Sequence, residues 1–138
     1  MTVGSDPSMV AVVSGASSGI GAAVAAELSD RGWRVAGLDL APSGWDLGLV
    51  VDMADPVAVA SAVHRVEADL GPVSTVVSAA GHYAIVPVDD IGLSAWHRML
   101  RVHLGGLLHL SRAVLPGMTS RGAGDIVAVT SELAIGGG

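Results

Sequence analysis

The sequence predicts an α/β fold: a doubly wound parallel sheet in three layers, with helices on both of its faces. Three observations predict it. Short valine-rich apolar runs alternate with alanine-rich or amphipathic runs along the whole chain, the pattern of strands joined by crossover helices. The residues best suited to holding a ligand all fall at carboxyl ends of the predicted strands, where such sheets bind ligands: the glycines of Ser14–Gly21, then Asp39, Asp52, Ala80, Gly81 and Ser131. At 138 residues the chain is one domain by length.

The first strand is the run Met9–Val13, short and β-branched as a strand covered on both faces should be. It leads into Ser14-Gly15-Ala16-Ser17-Ser18-Gly19-Ile20-Gly21 and then Ala22–Leu28, whose composition favours a helix. Asp30-Arg31-Gly32 ends that helix on a glycine. The second strand, Trp33–Leu38, runs out at Asp39, and the stretch from Ala41 to Gly48, with Pro42 and Gly44, is a loop. Leu49–Val51 is a short third strand ending at Asp52. Asp55-Pro56 combines an N-cap acid with proline at the first helical position, so a helix starts there and runs to about Leu70, where Gly71-Pro72 stops it. Val73–Ser78 is the fourth strand, followed by Ala79-Ala80-Gly81 and a loop from His82 to Gly92. Ser94 is placed to cap a long helix from Ala95 to Leu115, with Pro116-Gly117 at its frayed end. The fifth strand is Asp125–Thr130, with Ser131 directly after it. Met1–Ser8 read as a flexible leader, which leaves residues 9–138 as the domain, truncated after the fifth strand.

A glycine turn between strand and helix leaves the first N–H groups of the helix unpaired, with the positive end of the helix dipole behind them. That arrangement suits a pyrophosphate. Gly15 can turn tightly off the strand, Gly19 lets the backbone approach a phosphate, and Gly21 lets the helix pack closely. Asp39 lies eighteen residues beyond Gly21, close to the spacing at which an acid holds the ribose 2′-hydroxyl of a dinucleotide. Its charge would repel a 2′-phosphate, no Arg or Lys follows it, and position 18 is a serine rather than a base. NAD is favoured over NADP.

Composition narrows the remaining classes. A net charge of −6 without a basic stripe argues against nucleic acid as a partner. Every apolar run is broken by Gly, Asp or Arg before it reaches the length of a membrane span. The absence of cysteine removes disulfides and thiolate ligands and fits a reducing, cytoplasmic setting. The histidines, His64, His82, His97, His103 and His109, contain no i, i+4 pair, so no metal site is expected.

The motifs together, from Val10 to Ser131, resemble the classical short-chain dehydrogenase/reductase family, whose domain is Rossmann-type. Gly15, Gly19 and Gly21 are spaced G-x-x-x-G-x-G like that family's cofactor turn, and Asp39 is similar to the acid of its NAD-using members. Asp52-Met53 resembles the pair that contacts adenine, and Ser78-Ala79-Ala80-Gly81 resembles the Asn-Asn-Ala-Gly motif after the fourth strand. The run Trp96–Leu104 with Gly106 and Leu115-Pro116-Gly117-Met118 is similar to the family's long helix, and Ser131 falls where its catalytic serine does. The resemblance implies hydride transfer between a nicotinamide cofactor and an alcohol or ketone. It implies cofactor contacts at Gly15, Ser17, Ser18, Gly19, Ile20, Gly21, Asp39, Leu40, Asp52, Met53, Ser78, Ala80 and Gly81, and catalytic roles for Ser131 and His103. It also implies a homo-oligomer, dimer or tetramer, paired through the helix Ala95–Leu115.

Three departures stand out. His103 occupies the place of the tetrad asparagine, where imidazole could either relay a proton or simply pack. Ser78 replaces the first asparagine of its motif, a change expected to loosen a contact between strands. The Tyr-x-x-x-Lys pair is not found: there is no lysine, and the one tyrosine, Tyr83, lies in the loop after the fourth strand. Turnover by these residues alone is therefore not expected. A non-catalytic dinucleotide-binding module or structural half domain is the alternative reading. A methyltransferase shares the strand-turn-helix and the acid, but its glycine turn is spaced differently and Ser131 would be idle.

Overall fold

A computed structural model describes residues 8–136; the leader expected at Met1–Ser8, apart from Ser8, and the terminal Gly137 and Gly138 lie outside the described residues. The strands are β1 (Val10–Ser14), β2 (Arg34–Asp39), β3 (Leu47–Val50), β4 (Thr75–Ser78) and β5 (Asp125–Ala128). Between them run α1 (Gly19–Asp30), α2 (Pro56–Asp69), α3 (Leu93–Leu100) and α4 (Gly106–Arg121), with one further turn, α5, at Leu133–Gly136. Among the described residues the strands form one parallel sheet in the order β3-β2-β1-β4-β5. The chain builds outward from β1 through β2 to β3, then crosses back to lay β4 and β5 on the other side. That reversal puts the carboxyl ends of β1 and β4 side by side at a switch point.

Alternation along each strand divides the core between the two faces. Val10 and Val12 of β1, Ala36 and Leu38 of β2, and Val76 of β4 pack with Val59, Val63 and Val66 of α2 and Leu110, Val114 and Met118 of α4. Val13, Val35 and Val77, one residue out of phase, pack with Ala25, Val24 and Leu28 of α1. Every residue of β1 is buried, as a central strand covered on both faces requires.

The cap expected at Asp55 is present: its Oδ1 accepts from the N–H of Val57 at 2.9 Å and of Ala58 at 3.1 Å, with Pro56 opening α2. Other boundaries move for tertiary reasons. The helix expected from Ala22 begins at Gly19, and β3 lies earlier than Leu49–Val51 because Asp46 Oδ2 accepts from the N–H of Val35 at 2.8 Å and pins the loop to β2. Gly92, not Ser94, is the N-cap of α3, and it makes no side-chain capping bond. The fifth strand stops at Ala128 rather than Thr130.

The long helix differs most. It is not continuous: Arg101–Gly105 is a π-helical stretch between α3 and α4. Nor does it end at Pro116, which lies inside α4, five residues short of its end at Arg121. Burial overrides the lost backbone bond there, because Val114 and Met118 are buried on either side of Pro116, and Arg121 Nη2 donates to the carbonyl of Val73 at 2.7 Å. Gly122, at φ +67°, supplies the left-handed residue that closes the helix.

Candidate functional site

A cleft of about 600 Å³ opens at the carboxyl ends of β1 and β4. One wall is the turn from β1 into α1. Gly15 has φ +71°, and a Cβ on it would stand 2.9 Å from the backbone of Ala80, so the turn and the segment after β4 are in close apposition. Gly21 is as constrained, because a Cβ there would overlap the Gly15 carbonyl. Gly19 is different: φ is +53°, and nothing stands within 4 Å of where its Cβ would be. Ser18, at the N-cap, is extended and makes no side-chain capping bond, so the N-terminus of α1 is not covered by its own cap.

Ser14 holds the two sides of the switch point together. Its buried Oγ accepts from the N–H groups of Ala79 and Ala80, both at 3.1 Å. These bonds tie the end of β1 to the strand exit next to Ser78, whose main chain pairs with Ser14 on one side and Ala128 on the other.

At the second wall, Asp39 ends β2 with its carboxylate on the glycine turn. Oδ2 accepts from the N–H of Ser17 at 2.9 Å and Oδ1 from that of Ala41 at 3.2 Å, while Ser17 Oγ donates to the Ala41 carbonyl at 2.9 Å. Leu40, beside it, is exposed along the rim.

The third wall is Val51-Asp52-Met53 after β3. Asp52 Oδ2 receives a charged hydrogen bond from Arg98 Nη1 of α3 at 2.7 Å, and its Oδ1 accepts from the N–H of Ala54 at 2.9 Å. The Arg98 guanidinium, then the Ala54 N–H, hold the Asp52 carboxyl below its ordinary range against the opposing pull of burial. His109 Nδ1 lies 2.9 Å from the Met53 carbonyl, so α4 holds this segment from its other side.

The fourth wall continues from Gly81 to His82 and Tyr83. His103, in the π-helical stretch, places Nε2 3.0 Å from the His82 nitrogen and 2.8 Å from its carbonyl oxygen. In one tautomer it accepts from the N–H and in the other it donates to the carbonyl. A Cβ on Gly81 would collide with the His103 ring, so that glycine makes room for the imidazole.

The cleft thus gathers Gly15, Ser18, Gly19, Ile20, Gly21, Asp39, Leu40, Asp52, Met53, Ala80 and Gly81. Ser17 and Ser78 are not among the lining residues, and His103 touches the lining through His82. Ser131 follows β5, exposed and outside the lining. Sequence reasoning passed over Arg98, Val102 and Val51 as lining residues. Arg98 is separated from its carboxylate by 46 positions, and no local spacing signals such a pair. Among the described residues no group of three His, Cys, Asp or Glu could hold a metal, and no helix is long and apolar enough to cross a membrane.

Comparison with known proteins points one way. A family described as short chain dehydrogenase matches residues 9–137. The chain is 33% identical over 138 residues to D-threitol dehydrogenase of Mycolicibacterium smegmatis, covering 91% of this chain and 53% of that one. It is 35% identical over 125 residues to an acetoacetyl-CoA reductase of Synechocystis, covering 88% and 52%. A crystal structure of a short-chain dehydrogenase from Streptomyces avermitilis superposes with a TM-score of 0.82 at 27% identity, over 89% of this chain and 49% of that one. The chain spans about half the length of these relatives.

Proposed function

Because the chain belongs to the short-chain dehydrogenase family, we propose that its cleft is the cofactor half of an NAD-preferring oxidoreductase acting on a small alcohol or ketone. One observation carries this reading: the carboxylate of Asp39 and the side-chain-free helix N-terminus at Gly19 line a single cleft. The open space over Gly19 is a cradle that a Cβ would begin to fill, and it fits a pyrophosphate.

A nicotinamide cofactor bound there would supply or accept the hydride. The chain's own residues would do the rest. The N–H groups at the start of α1 hold the pyrophosphate, and Asp39 accepts from the ribose hydroxyls while repelling a 2′-phosphate. Asp52 and Met53 bound the adenine end, and Ala80 and Gly81 the nicotinamide end. Ser131 is the hydroxyl proposed to steady the substrate oxygen, and His103 the group that holds or passes a proton at Nε2. No lysine occurs in the 138 residues, so these residues alone are not expected to turn over. The exposed row Leu93, Trp96, Leu100, Leu104 and Leu108 along α3, the π-helical stretch and α4 supports a homo-oligomer, and the cysteine-free composition supports a cytoplasmic setting.

Calorimetric titration with NADH and NADPH tests the reading. NADH is expected to bind more tightly than NADPH, and Asp39→Ala to weaken NADH by about tenfold, the scale of one hydrogen bond to a charged group. Equal affinities would remove the NAD preference. Binding of neither nucleotide would sink the cofactor reading.

A further inference from the structure

One peptide group in the glycine turn is held at both ends. The carbonyl of Ala16 accepts from the indole Nε1 of Trp45 at 2.9 Å, and the N–H of the same peptide unit, on Ser17, donates to Asp39 Oδ2 at 2.9 Å. Rotating that plane breaks one bond or the other. The plane lies one peptide before Ser18, the N-cap of α1, so its orientation bears on the direction in which the chain enters the helix.

Trp45 is placed to do this by its own packing. It is half-buried and packed against the core cluster formed by Val13, Ala16, Ala25, Val35 and Val77. Gly37 of β2 makes the room: a Cβ there would stand 2.5 Å from Trp45 Cδ1. The adjacent Asp46 is fastened to β2 through the N–H of Val35 at 2.8 Å, and Ser17 Oγ is fastened to Ala41 at the start of the same loop at 2.9 Å. The β2–β3 loop is therefore a brace laid against the turn, with the indole N–H as a side-chain donor to the turn's backbone.

We propose that Trp45 is a positioning residue for the phosphate-binding turn, acting through the Ala16–Ser17 peptide rather than by touching the ligand. Asp39 then has two tasks, one toward the ribose and one toward the turn, and Trp45 is the counterweight that keeps its Ser17 bond in line. This inference rests on the cofactor reading of the cleft for its consequence on binding, though not for the clamp itself.

The test separates the indole N–H from the indole's bulk. Trp45 is replaced by Phe and, separately, by 3-benzothienylalanine, which keeps the bicyclic shape but has no N–H. Two quantities are read: NADH affinity by calorimetry, and hydrogen exchange of the Ser17 amide by nuclear magnetic resonance without nucleotide. The expected result is a loss of NADH affinity of about three- to tenfold in the benzothienyl variant, with Ser17 exchange faster by a similar factor, the scale of one neutral hydrogen bond. Phe should do at least as much. A benzothienyl variant with the Ser17 exchange of the unmodified protein would overturn the proposal and leave Trp45 as packing only, as would faster exchange with unchanged NADH affinity. Should the unmodified protein bind no nucleotide, the cofactor reading fails on its own, and Ser17 exchange still decides whether the clamp exists.

Discussion

Arg98 Nη1 and Asp52 Oδ2 lie 2.7 Å apart, and this pair fastens the segment after β3 to α3 across the mouth of the cleft. Both side chains are more than a third exposed, so solvent screening limits its worth to about 0.5–1 kcal/mol. Arg98→Met should lower stability to urea by that amount near neutral pH. The sign with pH follows from Asp52, whose folded pKa is depressed below its unfolded value. Its contribution is present above the unfolded value, close to 4, and is lost as pH falls through the lower folded value. The two proteins should therefore converge in stability in acid, and a gap that widened below pH 4 would contradict this.

Gly21 and Gly19 should respond differently to alanine. At Gly21 the added methyl overlaps the Gly15 carbonyl, which as main chain cannot swing aside, so Gly21→Ala should cost about 3 kcal/mol, toward the upper end for overpacking. At Gly19 space is open and only the positive φ resists, so Gly19→Ala should cost about 1 kcal/mol. Thermal unfolding of the two variants checks the order.

Ser14→Ala removes a buried acceptor and leaves the N–H groups of Ala79 and Ala80 without it. A loss of about 1–3 kcal/mol is expected. Amide exchange should quicken first at Ala79 and Ala80, since those bonds bridge the switch point; uniform quickening across the sheet would argue for a global effect instead.

Gly81 and His103 should be coupled. Gly81→Ala pushes a methyl into the imidazole and should cost about 1 kcal/mol, because the ring sits on an exposed side chain that can yield in part. In a His103→Ala background the same change should cost little. A double-mutant cycle by chemical denaturation measures the difference, and simple additivity would mean that the ring is not what Gly81 accommodates.

Much of the fold was legible in the chain. The valine runs at Val10–Val13 and Val76–Val77 mark strands covered on both faces, and Asp55-Pro56 marks a helix start, because these signals act between neighbours a few residues apart. The glycine turn between β1 and α1 was legible for the same reason. Gly15, Gly19 and Gly21 fall within one local turn, and their spacing encodes its geometry.

What could not be read was set by distant packing. The π-helical stretch at Arg101–Gly105 and the passage of α4 through Pro116 contradict local propensity; Val102 is buried at the cleft in the first, and Leu110, Val114 and Met118 pack against the sheet and α2 in the second. The sequence by itself determined the order of strands and helices, the doubly wound class and the position of the glycine turn between β1 and α1, since short-range periodicity and glycine spacing carry that information. The tertiary structure alone decided that Arg98 meets Asp52, that His109 meets Met53 and that Trp45 meets Ala16. Those partners are 46, 56 and 29 positions apart, and side chains so separated become neighbours only when the sheet has brought their elements together.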